Sequence, residues 1–404
     1  MIEITTQCLK WSLKDVNDRI MIYLDHNATT PIAPEVAYAM HKYIYEEFGN
    51  PSSAHALGKW AKEAIEKARE QVARLVNAKP SEIIFTSGGT ESNNTVIKGI
   101  AYALKDKGDH IITTCIEHAS ILNPCLFLMH RGFKVTFVPV DEYGMVNPED
   151  IKKAINEKTV LISVMHANNE TGTIQPISEI GSIAREAGVL FHTDTAQSAG
   201  KIETDVKTLK VDFLTIAGHK LYGPKGVGAL YARDGTTIEP LLHGAGQEGG
   251  RRAGTESVIL NVGLGEACAL AFKHIRSGSL RIQSLRDSLH RLLDSAVDGL
   301  ILNGHPIRRL PNTLNISFPG ISGAELLEEI PEICASTGAA CHDRSIDLSH
   351  VLAAMNVPKE VGLGAIRLTL GRETSQAEID RAAQLIIAKI KAKRKKTKVH
   401  HRAR

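Results

Sequence analysis

Two runs decide how this chain folds: VLFHTDTAQ (Val189 to Gln197) and VDFLTIAGHKLYGPKG (Val211 to Gly226). Each opens on Val, Leu, Ile, Phe and Thr with little polar alternation, the pattern of a strand covered on both faces, and then breaks into polar or Gly-rich residues. The first break leaves the carboxylate of Asp194 at a strand end; the second leaves Lys220 there, between His219 and a Gly/Pro-rich turn. Reading outward from strands at Val189 to His192 and Val211 to Ile216, similar runs recur at Ile83 to Thr86, His110 to Thr114, Lys134 to Val138 and Thr159 to Val164, with helical stretches between them. Repeated strand, loop and helix predicts an α/β large domain with a mainly parallel sheet, and places ligand sites in the loops at the carboxyl ends of its strands. Upstream, Leu57, Trp60, Ala61, Ala64, Ile65, Ala68, Val72, Leu75 and Val76 share one side of a helix for which Ser53 is the expected cap and Pro80 follows the end.

Past residue 262 the pattern changes to a long helical stretch ending near Ala296, a strand over Asn312 to Phe318, a loop around Cys341, a strand over Ala365 to Leu370 and a final helix opened by a Ser375/Glu378 capping box. This reads as a smaller α+β C-terminal domain. The expected organisation is an N-terminal extension (1–20), a large domain (21–262), a small domain (263–392) and a basic, disordered tail (393–404).

Composition narrows the classes. With 404 residues, 43% hydrophobic and 23% charged, the chain has material for two packed cores and is not globally disordered. No uninterrupted run approaches the ~20 apolar residues that cross a bilayer. The first 20 residues thread charges through every short apolar run and offer no secretory h-region, so a cytoplasmic location is expected. Six cysteines (Cys8, Cys115, Cys125, Cys268, Cys334 and Cys341) are too sparse for a disulfide framework, and no CxxC pair supports structural zinc. Cys334, Cys341 and His342 match no closed site, so no metal is expected. Lys389 to Arg404 holds nine cations and no acid, leaving 39 basic against 45 acidic residues elsewhere. Without an aromatic to stack on bases, that stretch predicts at most weak, nonspecific contact with nucleic acid.

The loops carry the chemistry. SGGTESNN (Ser87 to Asn94) follows the strand at Ile83 and precedes a helix, so its glycines and the helix start make a seat for a phosphate; it is neither a Walker loop nor GxGxxG. A lysine held at a strand end can lose its proton on burial and form a Schiff base. Pyridoxal phosphate requires that lysine, a carboxylate for its ring nitrogen and a phosphate seat, and Lys220, Asp194 and Ser87 to Asn94 supply the three.

YLDHNATTP (Tyr23 to Pro31), SGGTESNN, IEHASI (Ile116 to Ile121), ANNETG (Ala167 to Gly172), HTDTAQ (His192 to Gln197), GHKLYGPKG (Gly218 to Gly226), GTES (Gly254 to Ser257), TGAAC (Thr337 to Cys341) and IRLTLGR (Ile366 to Arg372) together resemble the cysteine desulfurases, class V, fold type I enzymes that use pyridoxal phosphate. The resemblance runs from about residue 21 to about residue 392. It implies that Lys220 binds the coenzyme covalently and moves protons at the substrate Cα, that Asp194 pairs with the pyridinium nitrogen, and that Gln197 donates to the phenolic oxygen with Asn169 beside it. His118 would stack on the ring and assist proton transfer. Gly89, Thr90 and His219 would contact the phosphate, with Thr255 reaching it from the second subunit of a homodimer. Arg367 is the implied fork for the substrate carboxylate, a geometry a guanidinium meets bidentately, and Asn27 is a further implied substrate contact. Cys341, in TGAACHDRS, is the implied nucleophile: small residues before it and charged ones after it suit an exposed loop better than a core, and His342 or Arg344 would lower its pKa.

The implied reaction converts L-cysteine to L-alanine and leaves a persulfide on Cys341, whose sulfur goes to an acceptor such as an iron–sulfur scaffold or a tRNA-thiolating protein. Two features depart from the scaffold-type pattern. His342, Asp343 and Arg344 replace a serine-rich stretch after the nucleophile, and Ala217 stands before GHK where a hydroxyl residue is usual. Both are similar to selenocysteine lyases, which is the alternative substrate reading. An aminotransferase on the same scaffold, and a non-catalytic interaction module working through the basic tail, are the remaining alternatives.

Overall fold

The computed structural model describes residues 21–337 and 348–402, with side chains described as far as residue 395. The first part of the chain runs β1 (Ile22–Tyr23), α1 (Pro34–Tyr45), α2 (Ala56–Val76), β2 (Ile83–Thr86), α3 (Gly89–Ala103), β3 (His110–Thr114), α4 (Ala119–Met129), β4 (Lys134–Val138), α5 (Pro148–Ala154), β5 (Thr159–Ser163), α6 (Ile177–Ala187), β6 (Leu190–Asp194), α7 (Val206–Leu209), β7 (Phe213–Ala217) and β8 (Gly228–Ala232). The rest is α8 (Val258–Asp294), β9 (Ile301–Asn303), β10 (Thr313–Ser317), α9 (Gly323–Glu328), β11 (Ile333–Cys334), α10 (His350–Ala354), α11 (Lys359–Gly362), β12 (Ala365–Thr369) and α12 (Gln376–Arg402).

A seven-stranded sheet, ordered β2-β8-β7-β6-β5-β3-β4, forms the centre. The β4-β3-β5-β6-β7 ladder is parallel throughout, and β8 alone runs against its neighbours, between β7 and β2. Strands β2, β3 and β5 to β8 are buried along nearly their whole length, as apolar runs without alternation require. The loops after β2, β3, β5, β6 and β7 therefore leave the same edge, and those are the loops with the Gly-rich, IEHASI, ANNETG, HTDTAQ and GHK sequences.

A second core gathers around the antiparallel β12-β10-β9 sheet, with Leu285, Leu289 and Leu293 of α8 and Ile379, Ile386 and Ile390 of α12. Ile22 and Leu24 belong to it because β1 pairs in parallel with β11. The α8 helix contributes Leu264, Ala267, Cys268 and Ala271 to the first core and its later half to the second, so the passage between cores lies inside one helix rather than at residue 262. By length and mean hydropathy α8 also qualifies as a membrane span, which a search for uninterrupted apolar runs does not register; the buried faces it gives to both cores explain the composition.

Two local expectations change. The first long helix begins at Ala56 with His55 as its cap, its Nδ1 accepting from Gly58 N at 3.3 Å, and Ser53 lies before it in a turn where its amide donates to the Asn50 carbonyl. The tail expected to be disordered from residue 393 instead continues α12 as helix to Arg402. Lys393 Nζ bridges Glu325 (3.2 Å) and Glu329 (2.9 Å), and Lys389 also reaches Glu329, so the basic stretch starts anchored to α9, and Ala, Lys and Arg are good helix formers. The Ser375/Glu378 capping box forms as expected.

Candidate active site

Lys220 ends the short turn after β7 and its Nζ donates to two backbone carbonyls, of Asn27 at 2.5 Å and Ala28 at 2.7 Å. Burial lowers its pKa from 10.5 to about 8, Arg367 adds to the shift, and Asp194 and Asp25 oppose it. A displacement of that size amounts to roughly 3 kcal/mol against the ammonium form. A larger share of this amine is thus neutral near ordinary cellular pH than of a free lysine, which is almost wholly protonated there. An expected consequence is that apoprotein takes up pyridoxal phosphate faster as pH rises, with a midpoint near 8. Stopped-flow measurement of the visible band would check this, and a midpoint near that of a free lysine would contradict the geometry.

Asp194 is 6% exposed at the end of β6. Its Oδ2 accepts from Asn93 Nδ2 at 2.7 Å and its Oδ1 from the Ala196 amide at 2.8 Å. Among the described residues no cation forms an ion pair with it. A buried carboxylate held by neutral donors and lacking a positive partner suits a cationic ring nitrogen. Asn93 also donates to Ser120 Oγ at 2.8 Å, which in turn bonds His118 Nδ1 at 2.8 Å. The His118 ring caps α4 and is exposed, so it is not a core histidine with both nitrogens satisfied.

The phosphate seat lies at the start of α3. Gly88 has φ 149°, a conformation that suits glycine, and a Cβ on Gly228 would meet Gly88 Cα at 2.7 Å, so both positions require a missing side chain. Beyond it Gly89 and Thr90 open the helix with their amides unpaired among the described residues. Ala217 borders this seat, its Cβ 3.4 Å from where a Gly89 Cβ would stand, and offers it a methyl rather than a hydroxyl. His219 Nδ1 bonds Thr29 Oγ1 at 3.1 Å, and burial with Lys220 nearby holds its pKa near 4, so it is neutral. Thr255 is exposed and borders a recess of about 190 Å³ with Ser87 and Gly226. Arg252, three residues before it, pairs with Glu91 at 2.9 Å and so ties that loop to α3.

Arg367, on β12, is 5% exposed and is not a surface ion pair. Its Nη2 donates to Asp25 Oδ1 at 2.8 Å and its Nη1 to the Asn169 carbonyl at 3.1 Å, while Nε is buried and unpartnered among the described residues. A buried N–H with no acceptor leaves Arg367 a donor that a ligand oxygen can take. The Asn169 side-chain amide is half-buried and makes no hydrogen bond among the described residues.

Asn27 differs from its expected role as a substrate contact. It is 1% exposed, its Nδ2 donates to the Asn169 carbonyl and Thr313 Oγ1, and its Oδ1 accepts from Asn312 and Lys201. No side-chain donor is left for a substrate. Its backbone carbonyl instead receives both Lys220 Nζ and Gln197 Nε2, which makes Asn27 a hub under the site. Asp25, Asn93 and Lys201 are site residues that motif reading passed over. Lys201 alone carried a usable signal, lying four residues after Gln197 where one turn brings side chains together.

Cys341, His342 and Arg344 lie outside the described residues, as does the 1–20 extension. The stems of the Cys341 segment are held by the site itself: Arg367 N donates to the Ser336 carbonyl at 2.6 Å, and Ser349 Oγ donates to Glu170 of the ANNETG loop at 2.5 Å. Every described cysteine has its thiol pushed up by burial, Cys125 to about 12, which disfavours thiolate at each of them.

A class-V aminotransferase model matches residues 22–382. A cysteine desulfurase IscS of Dictyoglomus turgidum is 49% identical over 361 residues, 89% of this chain and 92% of that protein. The chain belongs to the class-V aminotransferases, among the cysteine desulfurases. A second IscS, from Methanosarcina thermophila, is 49% identical over 90% of this chain and 91% of its own length. Among solved structures, a NifS-like protein superimposes with a TM-score of 0.86 at 39% identity, covering 91% of this chain and 98% of its own, and SspA in complex with cysteine does so with 0.78 at 37%, covering 87% and 99%. The fold is thus that of the fold type I members of this family, and Lys220 and Asp194 fall within the matched span.

Proposed function

We propose that this member of the cysteine desulfurases removes sulfur from L-cysteine, releases L-alanine, and carries the sulfur as a persulfide on Cys341. The observation that supports it best is the combination of Lys220, held between the Asn27 and Ala28 carbonyls with its pKa lowered by burial, and a buried Asp194 that forms no ion pair among the described residues. Those two groups and the α3 seat fit pyridoxal phosphate at its aldehyde, its ring nitrogen and its phosphate. When bound, that coenzyme supplies an electron sink that makes the substrate Cα–H acidic.

The residues divide the remaining work. Asp194 keeps a positive charge on a ring nitrogen within reach of its carboxylate, and Asn93 and Ala196 fix its orientation. Gln197, with one Nε2 hydrogen not used by Asn27, would donate to the phenolic oxygen, and His118 would lie against the ring. Gly89, Thr90 and His219 hold the phosphate with neutral donors and the α3 dipole, and Thr255 adds a hydroxyl from a second subunit. Lys220, as a neutral amine, would take the proton from the substrate Cα. Arg367 receives the substrate carboxylate through its free Nε and a remaining Nη hydrogen, with the Asn169 amide alongside. Cys341 would attack the substrate sulfur as thiolate; the S–S bond forms as the C–S bond breaks, and the electron pair of that bond stays on the carbon, which takes a proton to give alanine.

Arg367→Ala should raise KM for cysteine by on the order of 10 to 100-fold, the worth of a lost charge-assisted hydrogen bond of about 1.5–3 kcal/mol, while kcat changes less. Steady-state kinetics on the coenzyme-loaded variant measures the split, and an unchanged KM would remove Arg367 from the substrate site. The whole reading is tested by reconstituting the protein with pyridoxal phosphate and cysteine. Equal amounts of alanine and reductant-released sulfide are expected; pyruvate without alanine, or no turnover, would overturn it.

The sulfur acceptor in this reading is a protein that builds iron–sulfur clusters or thiolates tRNA. The working unit is a homodimer, in keeping with the exposed aromatic side chains Tyr38, Tyr45, Phe48 and Trp60 on α1, the segment after it and α2.

A further inference from the structure

The hydrogen-bond network under Lys220 holds a second amine. Lys201 Nζ donates to Gln197 Oε1 at 3.0 Å and to Asn27 Oδ1 at 3.4 Å, while its own carbonyl accepts from Ser279 Oγ on α8. Among the described residues it forms no ion pair, so neutral amide oxygens solvate it. The charged and titratable groups whose fields meet it are Lys220, Arg367, His26 and His219. Burial, with Lys220 and Arg367 as like charges, lowers its pKa to about 7. An amine buried among like charges, with only neutral amide oxygens as side-chain partners, calls for a role.

Geometry supplies one. An amide presents an acceptor at one end and donors at the other, and either end of Gln197 could face the ring. With Oε1 taken by Lys201, Nε2 must face the opposite way; one of its hydrogens goes to the Asn27 carbonyl at 3.0 Å and one is left for the cleft. The same ammonium holds Asn27, whose carbonyl receives Lys220 Nζ. One side chain thus sets both the amide and the carbonyl that flank the reactive amine.

We propose that Lys201 is a positioning residue: by donating to Gln197 Oε1 and Asn27 Oδ1 it fixes the Gln197 amide with its NH₂ toward the phenolic oxygen of bound pyridoxal phosphate, and so sets the proton affinity of the Lys220-linked coenzyme. This rests on the coenzyme reading above. The test is a pH titration of the visible band in wild-type, Lys201→Met and Lys201→Gln holoenzyme, with kcat and KM for cysteine. Loss of the Nε2 donor and of a nearby cation both favour the protonated linkage, so the Lys201→Met midpoint should rise by about one pH unit. Lys201→Gln, which can still donate to Gln197 Oε1 but carries no charge, should move about half as far. The activity loss should be on the order of tenfold and fall on kcat rather than KM. Midpoints unchanged in both variants would overturn the proposal. So would a failure of both to fold by circular dichroism, which would make Lys201 a core residue. A wild-type protein without any visible band would instead overturn the coenzyme reading and is distinguishable on sight.

Discussion

Lys220→Ala should abolish the covalent coenzyme adduct and lower turnover by on the order of 10⁴-fold or more, the upper range for losing a general acid–base group, because the same amine also anchors the coenzyme. Borohydride treatment followed by peptide mass spectrometry should find the reduced adduct on residue 220 in wild type and nowhere in the variant. The effect is large for a structural reason. Lys201 is a second amine of the network, but its Nζ lies against the Gln197 and Asn27 side-chain oxygens rather than at the Asn27 and Ala28 carbonyls that hold Lys220. An adduct on Lys201 in wild-type protein, or undiminished turnover without Lys220, would refute the assignment.

Cys341→Ser should leave the visible band of the coenzyme intact and yet reduce sulfide and alanine formation from cysteine by on the order of 10³-fold or more, since a serine hydroxyl is a poor nucleophile toward sulfur. Spectral titration with cysteine should still report binding, because Arg367 and Lys220 are untouched. An aminotransferase would ignore the substitution, and a non-catalytic module would have no activity to lose. Retained desulfuration would point to another thiol, but Cys115, Cys125, Cys268 and Cys334 all have thiols that burial disfavours as thiolates.

Much of the site was legible because it is written in short continuous segments. The parallel sheet came from apolar runs without alternation, and its C-terminal edge then singled out the loops with Asp194, Lys220 and the Gly-rich turn. Helix ends were less legible: Ser53 looked like a cap but is spent in a turn, and the basic stretch looked disordered until Glu325 and Glu329 were found across from Lys393. Asn27 failed in a more instructive way. Its motif marks it as important, and it is, but through a backbone carbonyl and a fully satisfied side chain rather than through the substrate.

By itself the sequence determined the α/β class, the edge of the sheet where chemistry occurs, and the residue types able to hold pyridoxal phosphate, since strand burial and loop composition are local properties of the chain. Only the tertiary structure decided that Arg367 pairs with Asp25 across 342 positions, that β1 crosses to the second core, and that Lys201 holds Gln197 and Asn27 together. The physical reason is that such contacts depend on strand order and on which buried polar groups must find partners, and neither leaves a period or a spacing in the sequence.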